Sequence, residues 1–340
     1  MNTMGSRACE RPPVRQVLVL RALGLGDLLA AVPALRALRR RLPDHRITLA
    51  CSPKLADAVA VTRTVHQLLP TTAPGRSVPE RLSWDGRPPD IAVDLHGNAP
   101  LSCLPLKALR PSALLAYSEP CGPPWHPDEH ERLRWCRLLE WYGLPADPGD
   151  LAIAAPAART SAPGAIVVHP GAEAAARRWP AERFAAVAHA LHLRGHRVVI
   201  TAGAGEARLA HSVAAQAGLP PGSVVGGADD IPFKQLAALI ANAAAVVVGD
   251  TGLAHLASAL RTPSVVLFGP VHPRLWGPPA DGPHRVMWHG DPDGDGRPGD
   301  AHGRRPDERL LRITVDEVLD AVDGLPPGPV DVPRLPETDE

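Results

Sequence analysis

Short apolar runs that feed directly into glycine-bearing turns, and then into helical repeats, set the character of this chain. Residues 16–21 (QVLVLR) lead into Gly24-Leu25-Gly26-Asp27. Apolar positions then recur at helical spacing at Leu28, Leu29, Val32, Leu35, Leu38 and Leu42, with Pro33 in the first turns. Residues 245–248 lead in the same way into Gly249-Asp250-Thr251-Gly252 and a helix over 253–260. A strand that is apolar on both faces and is followed by a helix belongs in a parallel sheet covered on both sides. Ligands of such sheets bind beyond the carboxyl ends of the strands, where helix N-termini favour negative charge.

The pattern comes in two series. The first has strands at 16–21, 46–51 and 91–95 and a helix over 128–142. The second has strands at 165–169, 196–201, 245–248 and 264–268, with helices over 181–194, 206–217, 233–241 and 253–260. Between them, residues 146–164 are rich in Ala, Pro and Gly and read as a linker with room for a short strand near 151–153. At 340 residues, two domains are the default. The expected class is α/β, two Rossmann-like domains whose parallel sheets face a central cleft. The boundaries read as 1–155, 156–305, and a C-terminal helix within 306–324 that packs back toward the first domain. That helix runs over 313–322 with Thr314 as N-cap, and the Pro-rich acidic tail 325–340 reads as disordered.

Thirty-six basic residues balance thirty-six acidic ones, which gives no electrostatic case for nucleic acid. Five scattered cysteines (Cys9, Cys51, Cys103, Cys121 and Cys136) form no CxxC, so neither a zinc knuckle nor a disulfide framework is expected, and a reducing cytosol fits. The longest apolar window, 236–248, contains Asn242 and is too short to span a bilayer. The expectation is a soluble cytoplasmic protein, at most peripheral at the inner face of the plasma membrane. Arg36, Arg39, Arg40 and Arg41 form a basic run that is either a solvated face or a contact for an anionic membrane or acceptor. Residues 291–296 (DPDGDG) imitate the opening of a calcium loop, but His302 stands where its closing glutamate belongs. No HExxH occurs among fifteen histidines, and no metal or cofactor is expected.

Several turns carry candidate chemistry. Gly24-Leu25-Gly26-Asp27 is not a dinucleotide fingerprint, because its third glycine would fall at Leu29 and the second strand ends in Cys51-Ser52 without an acidic residue. Asp27 is then either an N-terminal helix cap or a general base in the cleft. Arg177 and Arg178, soon after His169-Pro170-Gly171, suit a diphosphate or form an exposed basic loop. Glu206, closing the TAGAGE turn, either binds ribose hydroxyls or complements a helix dipole. The turn around Asp250, Thr251 and Gly252 opens a helix N-terminus suited to phosphate.

Taken in order, GLGD, VDLHG, HPGA with RRWP, TAGAGE and GDTGLAH with SVVLFGP resemble glycosyltransferase family 9, the ADP-heptose glycosyltransferases, over about residues 15–322. The resemblance implies a GT-B fold and an inverting, metal-independent transfer of a sugar, usually heptose, from a nucleotide diphosphate. It implies Asp27 as the base and Arg177 as a contact to donor phosphate, where many relatives carry lysine. Glu206 would bind ribose, and the backbone near Ile231 would lie beside the nucleobase of the donor. Asp250, Thr251, Gly252 and His255 would hold donor phosphate and sugar. A carboxylate beside a diphosphate is repulsive, so Asp250 is assigned to donor hydroxyls or to organising the turn. The acceptor, a glycan, glycolipid or small molecule, would meet the first domain around His96, Gly97 and Asn98. A nucleotide-sugar epimerase of the same architecture and a non-catalytic sugar-nucleotide-binding protein are the alternatives.

Overall fold

The computed structural model describes residues 14–290 and 299–327. The calcium-like 291–296 segment, Cys9 and the tail from residue 328 lie outside the described residues. The first sheet holds β1 (Arg15–Leu20), β2 (His45–Cys51), β3 (Gln67–Pro70), β4 (Ile91–Asp94) and β5 (Ala113–Leu115), in the order β3-β2-β1-β4-β5. The second holds β6 (Ile166–His169), β7 (Val198–Ala202), β8 (Val224–Gly226), β9 (Ala245–Gly249), β10 (Ser264–Leu267) and β11 (His284–Met287), in the order β11-β10-β9-β6-β7-β8. Every pairing is parallel. The two parallel-sheet domains expected from the sequence are therefore present. Residues 17–20 of β1 and 246–248 of β9 are wholly buried, since helices cover both faces of each sheet.

Strand order reverses between β1 and β4 in one sheet and between β6 and β9 in the other. The crevice outside those carboxyl ends is where such sheets receive ligands. Asp27 and His96 follow the first pair, and Pro170 and Asp250 follow the second.

Four local readings are corrected. The helix expected over 28–42 is two helices, Leu25–Ala30 and Val32–Arg41, with a break at Ala31. Pro33 has no N–H to return to the preceding turn, so the second helix starts with it in its first turn. Residues 151–153 form no strand. Of the basic run, Arg36 and Arg40 are engaged by the linker: Arg36 bonds the Asp150 carboxylate at 2.6 Å and the Ala152 carbonyl at 2.6 Å, and Arg40 also bonds Asp150. Arg39 and Arg41 of that run form the exposed basic face. The Ile153 N–H then bonds the Ala259 carbonyl of the second domain at 2.8 Å, so by Ile153 the chain has reached that domain.

The C-terminal helix, Val315–Asp323, is also corrected. It does not return to the first domain. Its apolar stripe of Val318, Leu319 and Val322 packs into the second domain's core with Phe184, Ala185 and Val265. Thr314 caps it through a reciprocal box with Glu317, as the sequence indicates. The Trp179 indole N–H donates to the Ile313 carbonyl at 3.1 Å and fixes the approach to this helix, so the conspicuous Trp-Pro pair is structural at its tryptophan.

Candidate active site

On the first domain, the chain leaving β1 turns through Gly24 into the Leu25–Ala30 helix. Asp27 is the third residue of that helix and is buried, and its carboxylate accepts the Gly24 N–H at 3.1 Å. Asp27 is thus not the N-cap, which is Gly24, but closes the capping box from the third helical position. At the end of β4 the Asp94 carboxylate accepts the His96 N–H at 2.9 Å, the Ser102 hydroxyl, and the Cys103 thiol at 3.2 Å. This holds the His96 turn against β1, where the Ala22 N–H donates to His96 Nδ1 at 3.2 Å. Burial lowers the His96 pKa, opposed by the Asp94 charge, which favours a neutral ring. Gly97 packs over Ser102, with room for a Cβ only 3.2 Å from the serine Cβ. Asn98 is exposed on the rim and accepts from the Ser118 hydroxyl at 2.6 Å.

On the second domain, Thr251 is the N-cap of the Gly252–Ala259 helix, in extended backbone, and its hydroxyl caps nothing. Arg177 reaches the same turn and donates from Nη1 to the Asp250 carbonyl at 3.2 Å, with Glu173 3.3 Å from Nη2. Arg177 Nε and Thr251 Oγ1 are both buried without a hydrogen-bond partner. An unpaired buried donor costs about 1–3 kcal/mol, and anionic oxygens at this helix N-terminus would satisfy both atoms. The Asp250 carboxyl is pushed up to about 6 by burial, with the Arg177 guanidinium opposing and the Asp27 charge adding.

Beyond β7, the Glu206 carboxylate accepts the Gly203 N–H at 2.9 Å and lies across Gly171, where a Cβ would fall 2.1 Å from Oε2. Only glycine at 171 lets Glu206 hold that position. Asp230 accepts the Ala204 N–H at 2.9 Å, and the Ile231 side chain covers Gly226 at the end of β8. Glu206 and Ile231 thus flank the carboxyl ends of β7 and β8, some way along the same crevice from Thr251.

The two halves meet at a pair of glycines. The Leu25–Ala30 helix packs on the Gly252–Ala259 helix. A Cβ on Gly26 would lie 2.7 Å from the His255 ring and 3.4 Å from Gly252 Cα, and one on Gly252 would lie 3.3 Å from the Gly26 nitrogen. His255 sits edge-on to Trp276, ring centroids 5.7 Å apart, and its desolvation between the domains lowers it to about 4. The Asp27 charge acts on both Asp250 and His255. His130 Nε2 with the Gly277 carbonyl (3.0 Å) and Arg274 with Asp128 (3.1 Å) tie the domains further along the seam. This brings together Asp27, Arg177, Asp250, Thr251, Gly252 and His255, while Glu206 and Ile231 occupy the outer part of the second domain and His96 to Asn98 the opposite rim.

A family model for glycosyltransferase family 9 (heptosyltransferase) matches residues 107–290. The chain belongs to that family. Lipopolysaccharide heptosyltransferase 3 of Escherichia coli is 33% identical over 169 residues, 48% of this chain, and the match spans only 47% of that relative's length. Lipopolysaccharide heptosyltransferase 1 of Pseudomonas aeruginosa is 27% identical over 77% of this chain and 81% of its own. Among solved structures, E. coli ADP-heptose lps heptosyltransferase II superposes with a TM-score of 0.71 at 20% identity, covering 91% of this chain and 97% of its own. E. coli heptosyltransferase WaaC with ADP gives 0.63 at 19%, covering 91% and 97%. These share the fold, two facing parallel-sheet domains of GT-B type. Among the described residues, no helix is long and apolar enough to cross a membrane.

Three buried charged residues beside the Asp27 and His96 turns escape sequence reasoning: Arg21, bonded to the Asp27 carbonyl and to Glu131, then Asp94, and Glu131 itself. Arg21 and Asp94 each stand at the end of an apolar strand run, where a charge facing inward is the one local signal. Glu131 carries none, since an acidic residue in a helix's first turn is ordinary.

Proposed function

We propose that this protein transfers a heptose from an ADP-heptose donor to a hydroxyl of a lipopolysaccharide-type glycan, with inversion and without a metal ion. The observation that carries the proposal is the pairing of Asp27 on one domain with the Arg177–Thr251 turn on the other, across the Gly26–Gly252 contact. The diphosphate would sit on the Gly252–Ala259 helix N-terminus, accepting from Arg177 Nε and Thr251 Oγ1. Glu206 would take the ribose hydroxyls, and the backbone at Ile231 would meet the adenine of the donor. Asp250, buried and raised toward neutral pH, suits a sugar hydroxyl better than a phosphate. The acceptor would enter along His96, Gly97 and Asn98, and the exposed Arg39 and Arg41 are available to an anionic acceptor or membrane surface on the cytoplasmic side.

In the reaction, the acceptor hydroxyl gives its proton to the Asp27 carboxylate as its oxygen bonds to the anomeric carbon. The bond from that carbon to phosphate breaks, and its electron pair leaves on the diphosphate. Preorganised N–H groups and a guanidinium stabilise the growing charge without reorganising. Attack from Asp27's side and departure on the opposite domain give inversion. Incubation with ADP-heptose, a heptose-deficient core oligosaccharide and EDTA tests the reading. Transfer with inverted anomeric configuration supports it. Retention, a strict metal requirement, or donor conversion without acceptor would each contradict it, the last pointing to an epimerase.

A further inference from the structure

Arg21 directly follows β1, and its side chain is almost wholly buried, 1% exposed. Its Nε donates to the Asp27 carbonyl at 2.6 Å, one terminal nitrogen donates to the Leu95 carbonyl beyond β4, and the other donates to Glu131 at 3.0 Å. That last nitrogen also lies 3.8 Å from Asp27 Oδ1. The Trp135 ring lies 4.9 Å from the guanidinium carbon. Glu131 is itself held by the Trp135 indole N–H at 2.8 Å and by Arg134. One planar group therefore ties together the turn that carries Asp27, the strand end that carries the His96 rim, and the helix that begins at the domain seam.

Burying guanidinium and carboxylate groups together gains little stability over apolar residues of the same volume. A cluster of this size at the base calls for another use. Arg21 and Arg134 both pair with Glu131, and Arg21 reaches past it to within 3.8 Å of the Asp27 carboxylate. Arg21 fixes Asp27 at its main chain and neighbours its carboxylate, and the partners of its three hydrogen bonds all belong to the first domain.

We propose that Arg21, anchored by Glu131, is a positioning residue that aims the Asp27 carboxylate at the acceptor hydroxyl. This rests on the reading of Asp27 as the base. The test is steady-state transfer from ADP-heptose, together with ADP binding by calorimetry, for Arg21→Lys, Glu131→Gln and Asp27→Asn. Lysine keeps the charge and loses the planar three-way grip, which ammonium geometry cannot reproduce. Arg21→Lys should lower kcat ten- to a hundredfold, leaving donor KM and ADP affinity within twofold of the parent. In an Asp27→Asn background the same change should alter the residual rate less than twofold, because the residue it aims is gone. Glu131→Gln should act in the same direction, more weakly, and carries the same readouts should Arg21→Lys not fold. A kcat within twofold of the parent for both variants overturns the proposal while leaving Asp27 in place as base. So does a loss of ADP affinity parallel to that of kcat, the mark of a merely structural role. Full transfer by Asp27→Asn overturns the base reading, and this proposal with it.

Discussion

Gly26→Ala is the perturbation that bears most directly on the domain contact. The added methyl would stand 2.7 Å from His255 Cδ2 and 3.4 Å from Gly252 Cα. Ordinary carbon contacts are about 3.5–4.0 Å, so one side must give by roughly an ångström. The His255 ring cannot swing away freely, because Trp276 lies edge-on to it, 5.7 Å between centroids. The relief available is to part the two helices and with them the domains. Overpacking of this kind costs about 1–3 kcal/mol, which shifts a closed-to-open equilibrium by roughly ten- to a hundredfold. Gly252→Ala meets nothing closer than 3.3 Å and should cost less. In a transfer assay, Gly26→Ala should lower kcat by that factor and Gly252→Ala by a smaller one, with the second domain's affinity for ADP kept in the first variant. Melting temperature should fall only a few degrees, since each domain keeps its own core. Equal, unimpaired turnover by both variants would refute the claim that these glycines set the reactive closure.

Arg177→Ala should weaken ADP binding about ten- to a hundredfold, the worth of a charge-assisted hydrogen bond, and calorimetry showing parental affinity would remove Arg177 from the phosphate site. Acidification provides another check. Burial holds His255 and His284 at about 4, below the ordinary 6.5, so the unfolded chain takes up protons first and stability falls from pH 6.5 toward 4. Asp250, raised from 3.8 to about 6, works the other way, because the folded state takes its proton first. Asp250→Asn should therefore be more stable than the parent at pH 7.5 and lose that advantage by pH 4, and melting curves of the two proteins that stay parallel with pH would contradict the assignment. Trp179→Ala should destabilise by about 3–5 kcal/mol through a lost buried ring and the freed Ile313 carbonyl, lowering melting temperature without first touching ADP affinity.

The central strands were legible in the sequence and the edges were not. β1, β2, β4, β6, β7, β9 and β10 stand out as apolar runs because both of their faces are covered. The strands that escape notice, β3, β5, β8 and β11, are the two edges of each sheet. They are three or four residues long and half exposed, with Gln67, Gly226 and Arg285 among them, so no continuous apolar run marks them. Asp27, Arg177 and Thr251 stand out as candidates in the sequence because phosphate and proton chemistry favour particular residues at strand-to-helix turns. Arg21 and Glu131 could not, since they are 110 positions apart and only the tertiary fold joins them. The direction taken by the C-terminal helix was equally hidden: its apolar stripe says that it packs, and only the open face beside Phe184 and Val265 says where.

The proposed site is divided, base on the first domain and donor on the second. The most direct measurement is Asp27→Asn assayed for heptose transfer and for ADP-heptose binding on the same preparation. The expected result is a loss of transfer of at least a thousandfold with donor affinity within a fewfold of the parent. Transfer at the parental rate, or a loss of donor binding equal to the loss of transfer, would contradict the division.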